Sequence, residues 1–229
     1  MDNSLVRALT LLSVMDSKLI SIIFLSLKVS FSALIIASAI GLPIAAVLSM
    51  KRFPVRNISI SIINALMGLP PVVVGLVLYI LLSRRGILGF LELLYTPSAM
   101  IIAQTLIALP IITGLGHSAI TGVDKNVRMA AISLGADKTQ LFFTVIAEAR
   151  YGIMSAIVAA FGRLTAEVGA ILIVGGNIAG LTRVMTSAIA METDKGNFDL
   201  AVALGLVLMA ITLIINFFMH HIQKKGARS

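Results

Sequence analysis

The sequence predicts an all-α, polytopic membrane protein, and three observations carry that prediction. Of the 229 residues, 59% are hydrophobic and only 12% charged, about half the charged share of a soluble domain. The apolar residues come in continuous blocks, each near the roughly 20 helical residues needed to cross a hydrocarbon layer about 30 Å thick. The blocks do not alternate in the way strands of a membrane barrel must. The chain has no cysteine, which removes disulfides, thiolate metal sites and thiol catalysis and leaves the redox compartment open. The formal charge is +8, yet no Lys/Arg cluster is interleaved with aromatics, so a nucleic-acid partner is not expected.

In chain order, residues 1–19 carry Leu5, Ala8, Leu9 and Leu12 at helical spacing, which suits an interfacial segment on the outer leaflet or a frayed tail. A removable signal peptide is not expected, because a basic region followed by a small-residue cleavage site is missing. Five uncharged or nearly uncharged runs follow: Val29–Met50, Asn57–Ser83, Leu93–Val123 (helical from about Pro97), Tyr151–Thr182 and Leu200–Met219. Pro43, Pro70, Pro71 and Pro110 fall inside these runs, where each removes a backbone donor and favours a kink. "NALMGLPPVVVGL" reads as a break between a short interfacial piece, Ile58–Met67, and the second span, or as a kink that only helps packing. The loops alternate in charge. Ten positives lie on one side (Lys51, Arg52, Arg56, Lys125, Arg128, Lys138, Arg150, Lys224, Lys225, Arg228) and six on the other (Arg7, Lys18, Arg84, Arg85, Arg183, Lys195). The richer side is expected to be cytoplasmic, which puts the N-terminus outside and the tail 220–229 inside a cell membrane.

Residues 121–150 interrupt the apolar runs with a polar segment of two parts. Asp124 is placed to cap a first helix and to pair with Arg128 four residues on. Val127, Ala130, Ala131 and Leu134 form a narrow stripe, and Gly135 sits where a left-handed C-terminal residue belongs. Asp137 and Gln140 have capping-box spacing ahead of a second helix. The segment is therefore expected to be two short cytoplasmic helices joined by a tight glycine turn. "MAAISLGADKTQLFFTVIAEA" resembles the cytoplasmic signature of permeases from binding-protein-dependent ABC importers, Glu-Ala-Ala, three residues, Gly, nine residues, an aliphatic position and Leu-Pro. Ala130, Ala131, Gly135 and Val145 match, whereas Met129 replaces the acid and Ala147-Glu148 replaces Leu-Pro. The resemblance implies a type I importer permease, a single domain over 1–229 working as a homodimer. It also implies a coupling surface at Met129, Ala130, Ala131, Gly135 and Ala136 that docks on a separate ABC ATPase dimer, with an extracytoplasmic binding protein delivering substrate. No Gly-Lys pair occurs in the chain, so the phosphate-cradling loop is missing. The chain is expected to be no enzyme and to bind no cofactor, ATP and Mg residing on the partner.

Within the fourth run, Arg163 and Glu167 stand four apart, as on one helix face inside a span, where mutual pairing is expected. They are either a structural ion pair or part of an anion path with Thr165 and Gly169. Gly175, Gly176 and Asn177 offer backbone amides for an anion or a plain turn. "AEVGA", "VGGNI", "LTRVMT" and "MET", with "LPPVVVGLVLYILLSRRGILG", resemble permeases of tungstate importers. Molybdate permeases carry an aromatic residue where this chain has Val168. The resemblance implies import of an oxyanion, tungstate first, with molybdate, sulfate or another small solute as alternatives. An autonomous channel or ion-coupled carrier would dispense with the polar helix pair, and a membrane enzyme would require paired catalytic residues. His117 reads as a packed histidine with no second metal ligand near it in sequence, and His220 and His221 as snorkelling beside the basic tail.

Overall fold

The computed structural model describes residues 17–51 and 53–226, with side chains through residue 217. The proposed interfacial segment up to residue 16, together with Arg7, Arg52, Arg228 and the side chains of His220, His221, Lys224 and Lys225, lies outside the described residues. The described residues form ten α-helices in order: α1 Ser17–Met50, α2 Arg56–Met67, α3 Pro71–Leu82, α4 Pro97–Thr121, α5 Lys125–Ser133, α6 Lys138–Glu148, α7 Arg150–Thr165, α8 Gly169–Gly175, α9 Met185–Asp194 and α10 Phe198–Gly226. A single 3-10 turn, Gly89–Leu91, sits between α3 and α4, and the described residues hold no strand.

Three helices, α1, α4 and the described part of α10, are each long and apolar enough to cross a membrane. Two bent pairs, α2 with α3 at 98° and α6 with α7 at 56°, bring the possible total to five. The α2–α3 elbow is the proline break read from the sequence. Pro70 is extended, Pro71 stands at the first turn of α3, and its missing N–H is one that a helix start leaves unpaired anyway. Pro43 and Pro110, by contrast, lie inside helices that run on through them. α1 starts twelve residues before the uncharged run, and Lys18 and Lys28 are exposed on it. Residues 17–19 are therefore continuous with α1.

For the fourth span, α6 begins with exposed Lys138, Thr139 and Gln140, which do not suit hydrocarbon. The apolar stretch is α7 and then α8, interrupted at residues 166–168. At 1.5 Å per residue, α7 alone reaches only about 24 Å, short of a hydrocarbon layer of about 30 Å, and α8 supplies further apolar length beyond the break. The sequence reading had one continuous helix here.

α4 is the centre of the bundle and α10 its rim: 61% of the α4 span window is buried against 17% for α10. Small residues let the helices approach closely, as they do where lipid supplies no hydrophobic force of its own. A Cβ on Gly41 of α1 would meet Thr113 Oγ1 at 3.0 Å, and one on Gly116 of α4 would meet Ala45 at 3.3 Å. The main core gathers Val29, Ala33 and Ala37 of α1, Val74 and Leu78 of α3, Met100 and Ile112 of α4, and Leu164 and Val174 of the fourth span. Phe31 and Phe161 add a tilted ring contact at 5.0 Å between α1 and α7.

Candidate functional site

The polar segment folds as its sequence dictates. Asp124 Oδ1 accepts from Asn126 N at 2.8 Å at the start of α5. Arg128 does not pair with Asp124. Its guanidinium donates to the Ile120 carbonyl at 3.0 Å, because the end of α4 presents an unsatisfied acceptor beside it and a buried carbonyl is the better partner. Gly135 has φ +83°, and Ala136 N donates to Ala131 O while Gly135 N donates to Ile132 O, the paired bonds of a Schellman close. The capping box is complete: Asp137 Oδ1 accepts from Thr139 N and Gln140 N, and Gln140 Oε1 accepts from Asp137 N at 2.9 Å. Asp137→Ala is expected to cost about 1 kcal/mol, read as faster amide exchange confined to the first turn of α6.

The stripe divides in two. Val127 and Ala131 turn inward and are half-buried, Val127 against a small core of Ala45, Ala46, Ile120, Val145 and Ala149. Ala130 and Gly135 are exposed, Ala136 is half-buried, and Met129, Ile132 and Leu134 stand out at 58%, 58% and 88% exposure. Met129 is expected at a coupling surface from the resemblance, whereas Ile132 is not named there, because a stripe defined by spacing says nothing about which face a neighbouring helix covers. The helix pair is thus an apolar tip on a base wedged between the ends of α1, α4 and α7.

The second cluster lies at the α7–α8 interruption. Arg163 is in the last turn of α7, but the helix ends at Thr165, so Glu167 is not on its face. The pair still forms, loosely, with Arg163 Nη1 to Glu167 Oε2 at 3.8 Å and the side chains 42% and 5% exposed. Glu167 does something that spacing did not indicate: its Oε1 accepts from Ala170 N at 3.0 Å at the start of α8, and its carbonyl accepts from Thr186 Oγ1 at 2.9 Å. It fastens α7, α8 and α9 at one point. The helix stops here because a buried carboxylate finds a backbone donor ahead of it. Thr165 Oγ1 donates back within α7. Gly169 lies against α3, where a Cβ would meet Val72 Cγ2 at 2.5 Å.

Beyond α8 the chain turns at Gly176 (φ +71°) and Asn177 (φ +52°). The Ile178 amide is bonded to Thr182 Oγ1 at 2.9 Å, and Asn177 Oδ1 accepts from Ser187 Oγ at 2.9 Å. Of the two readings left open for this stretch, the geometry is that of a turn. α9 then ends in a network that the sequence reading did not single out. Glu192 is buried and accepts from Lys195 Nζ at 3.2 Å and Asn197 Nδ2 at 2.9 Å. Burial pushes its carboxyl up, but those hydrogen bonds, with the charges of Lys195 and Arg183, outweigh it and hold the group below its ordinary 4.5. A carboxyl lowered in the folded state adds stability above its unfolded pKa and loses it as pH falls through the folded one. Lowering pH from about 6 to about 3 is expected to reduce the thermal midpoint of the parent more than that of Glu192→Gln. His117 is packed: its Nδ1 lies 2.8 Å from Ser49 Oγ between α4 and α1. Gln104, the sole amide side chain of the third run, is 1% exposed and donates to Leu164 O at 3.2 Å. That isolation in an apolar run was the available signal.

Interrupted apolar spans packed on small residues, with an apolar-tipped helix pair projecting from one end, describe a polytopic membrane protein that presents an apolar surface outside its helical bundle. The family model of the binding-protein-dependent transport system inner membrane component matches residues 37–227. The chain is 44% identical over 203 residues to a probable anion ABC transporter permease protein of Haloferax volcanii, covering 86% of this chain and 88% of that one. It is 41% identical over 218 residues to the tungstate uptake system permease protein TupB of Peptoclostridium acidaminophilum, covering 95% and 96%. With the molybdenum transport system permease protein ModB of Escherichia coli K12 the identity is 31%, covering 90% and 95%. The fold matches the inward-facing methionine ABC transporter MetNI with a TM-score of 0.72 at 19% identity, over 92% and 97% of the chains. The chain belongs to the inner-membrane permease family of binding-protein-dependent ABC transporters. It is a multi-pass membrane permease component and not itself a catalytic enzyme, and membership implies ATPase and substrate-binding partners.

Proposed function

We propose that the chain is the permease of an oxyanion importer, tungstate being the first substrate, and that it works by alternating access as a homodimer driven by a separate ATPase dimer. The observation that carries the coupling half is the exposed apolar tip, Met129, Ile132 and Leu134, set beside the Gly135 turn. An apolar cluster of that kind on a rigid base suits a groove on a partner. Met129, Ala130, Gly135 and Ala136, together with Ile132 and Leu134, form the contact, and Ala131 backs it from the inward side. ATP and Mg stay on the partner, and this chain binds no cofactor. When the ATPase dimer closes on ATP, the wedged base transmits the displacement to α1, α4 and α7, a two-state switch biased by differential contacts. The tip faces the cytoplasm, the N-terminus lies outside, and the binding protein docks on the opposite face.

The substrate half rests on relatedness: identity to the tungstate permease exceeds that to the molybdenum permease by ten points, 41% against 31%. In this reading Arg163, loosely held by Glu167, lends positive potential to the anion path, with Thr165 and Gly169 beside it. The test is uptake into proteoliposomes holding permease, ATPase and binding protein. ATP-dependent tungstate uptake should exceed molybdate and sulfate uptake, and Arg163→Gln should reduce the rate. Equal uptake of all three anions defeats the substrate assignment, and uptake without the ATPase defeats the coupling assignment.

A further inference from the structure

A small cavity of about 20 Å³ lies where α1, α4, α7 and α9 converge, with Ser26, Ser30, Gln104, Thr165 and Thr186 contributing its polar lining. Gln104 is the informative member. Its Nε2 donates to the Leu164 carbonyl at 3.2 Å, which fixes the amide's orientation, since turning it over would set oxygen against oxygen. That leaves Oε1 buried with no partner among the described residues, a condition native interiors rarely tolerate. Ser26 is already committed, donating to Ile22 O and accepting from Met185 N, both at 2.7 Å. Thr165 and Thr186 each donate to a carbonyl, so their oxygens can still accept. Ser30, 5% exposed, can donate.

We propose that this cavity is a hydration site holding one ordered water. The volume exceeds the roughly 10–15 Å³ that a single water requires, and the lining offers the two to four polar partners such a water needs. The water donates to Gln104 Oε1 and to the oxygen of Thr165 or Thr186, and accepts from the Ser30 hydroxyl. It therefore ties α1, α4 and the interrupted fourth span together at the depth of the α7–α8 break. This goes beyond the transport reading and does not depend on which anion is carried.

A filling substitution decides the matter through the sign of its effect. In a wet cavity Ser30→Val displaces the water and strands Gln104 Oε1, so the thermal midpoint of the full-length chain in detergent falls by several degrees. In the Gln104→Leu background no acceptor remains to strand, and most of that fall should disappear. If the cavity is dry, Ser30→Val fills a void and raises the midpoint in both backgrounds, which overturns the proposal. A fall that persists undiminished beside Gln104→Leu is overpacking and overturns it too. Should the variants not express, a cryo-EM map of the unaltered transporter that resolves ordered waters gives the same decision. Density within hydrogen-bonding reach of Gln104 Oε1 and Ser30 Oγ supports the site, and featureless space there refutes it.

Discussion

Leu134→Asp is expected to lose ATPase-subunit binding while leaving the permease folded. The side chain is 88% exposed, so no packing is lost within the chain, and exposed substitutions of this kind stay within about 0.5 kcal/mol of parent stability. In the proposed complex the same position would enter an apolar groove, where a carboxylate meets no partner. Truncating an anchor at the centre of an interface costs about 2 kcal/mol or more, which is about thirtyfold in affinity, and a buried unpaired charge adds to that. Co-purification and stimulated ATPase activity should both collapse, with the thermal midpoint of the isolated permease unchanged. Met129→Asp should behave alike, and Ser133→Ala should not. Gly135→Val tests the turn separately: a Cβ there has open space around it, so its cost is the left-handed backbone alone, about 1–2 kcal/mol. Retained binding by both Leu134→Asp and Met129→Asp would move the docking surface elsewhere.

Gly75→Leu is expected to give the largest loss of stability of any single change in the apolar interior. A Cβ at Gly75 of α3 would lie 2.8 Å from Ala170 Cα and 3.2 Å from the Ala170 carbonyl oxygen. These are backbone atoms of α8 and cannot rotate aside. α8 is also held by Glu167 and Thr186, so the two helices can part only by breaking that junction. Overpacking in a close-packed interior costs about 1–3 kcal/mol where side chains can yield, and the cost here should exceed that range. The measurement is the midpoint of detergent-solubilised protein, with Gly162→Ala and Gly205→Ala as controls. At neither control position would a new Cβ meet an atom within 4 Å outside the local backbone of its own helix, and each lies inside a helix, where Ala gains about 0.5–1 kcal/mol over Gly. A Gly75→Leu protein as stable as those controls would mean that α3 and α8 do not touch as described.

Much of this was legible from residues alone, though unevenly. The proline break, the Gly135 turn and the Asp137–Gln140 box were read correctly because each depends on atoms within a few residues of one another. The pairing of Asp124 with Arg128 was not, since the competing acceptor, the Ile120 carbonyl, becomes available only when α4 ends beside α5. Placing Arg163 and Glu167 on one helical face failed because the Glu167 carboxylate instead takes the Ala170 amide at the start of α8, and its carbonyl takes Thr186 Oγ1, a partner that only the packing of α9 supplies. Spacing alone cannot tell an apolar tip such as Ile132 from a core position until the covering helices are known; Met129 was placed on the surface only through the resemblance.

The sequence by itself determined the membrane class, the order of apolar runs, the polar helix pair and the caps that delimit it. These follow from solvent partition and short-range hydrogen bonding, which act before any helix has found a neighbour. Tertiary structure alone decided that the fourth span is interrupted, that Gly75 touches Ala170, and that Gln104 is left with a buried acceptor. Those facts depend on which helices lie side by side, and in a chain so uniformly apolar the packing of small residues sets that choice, more than hydrophobicity does.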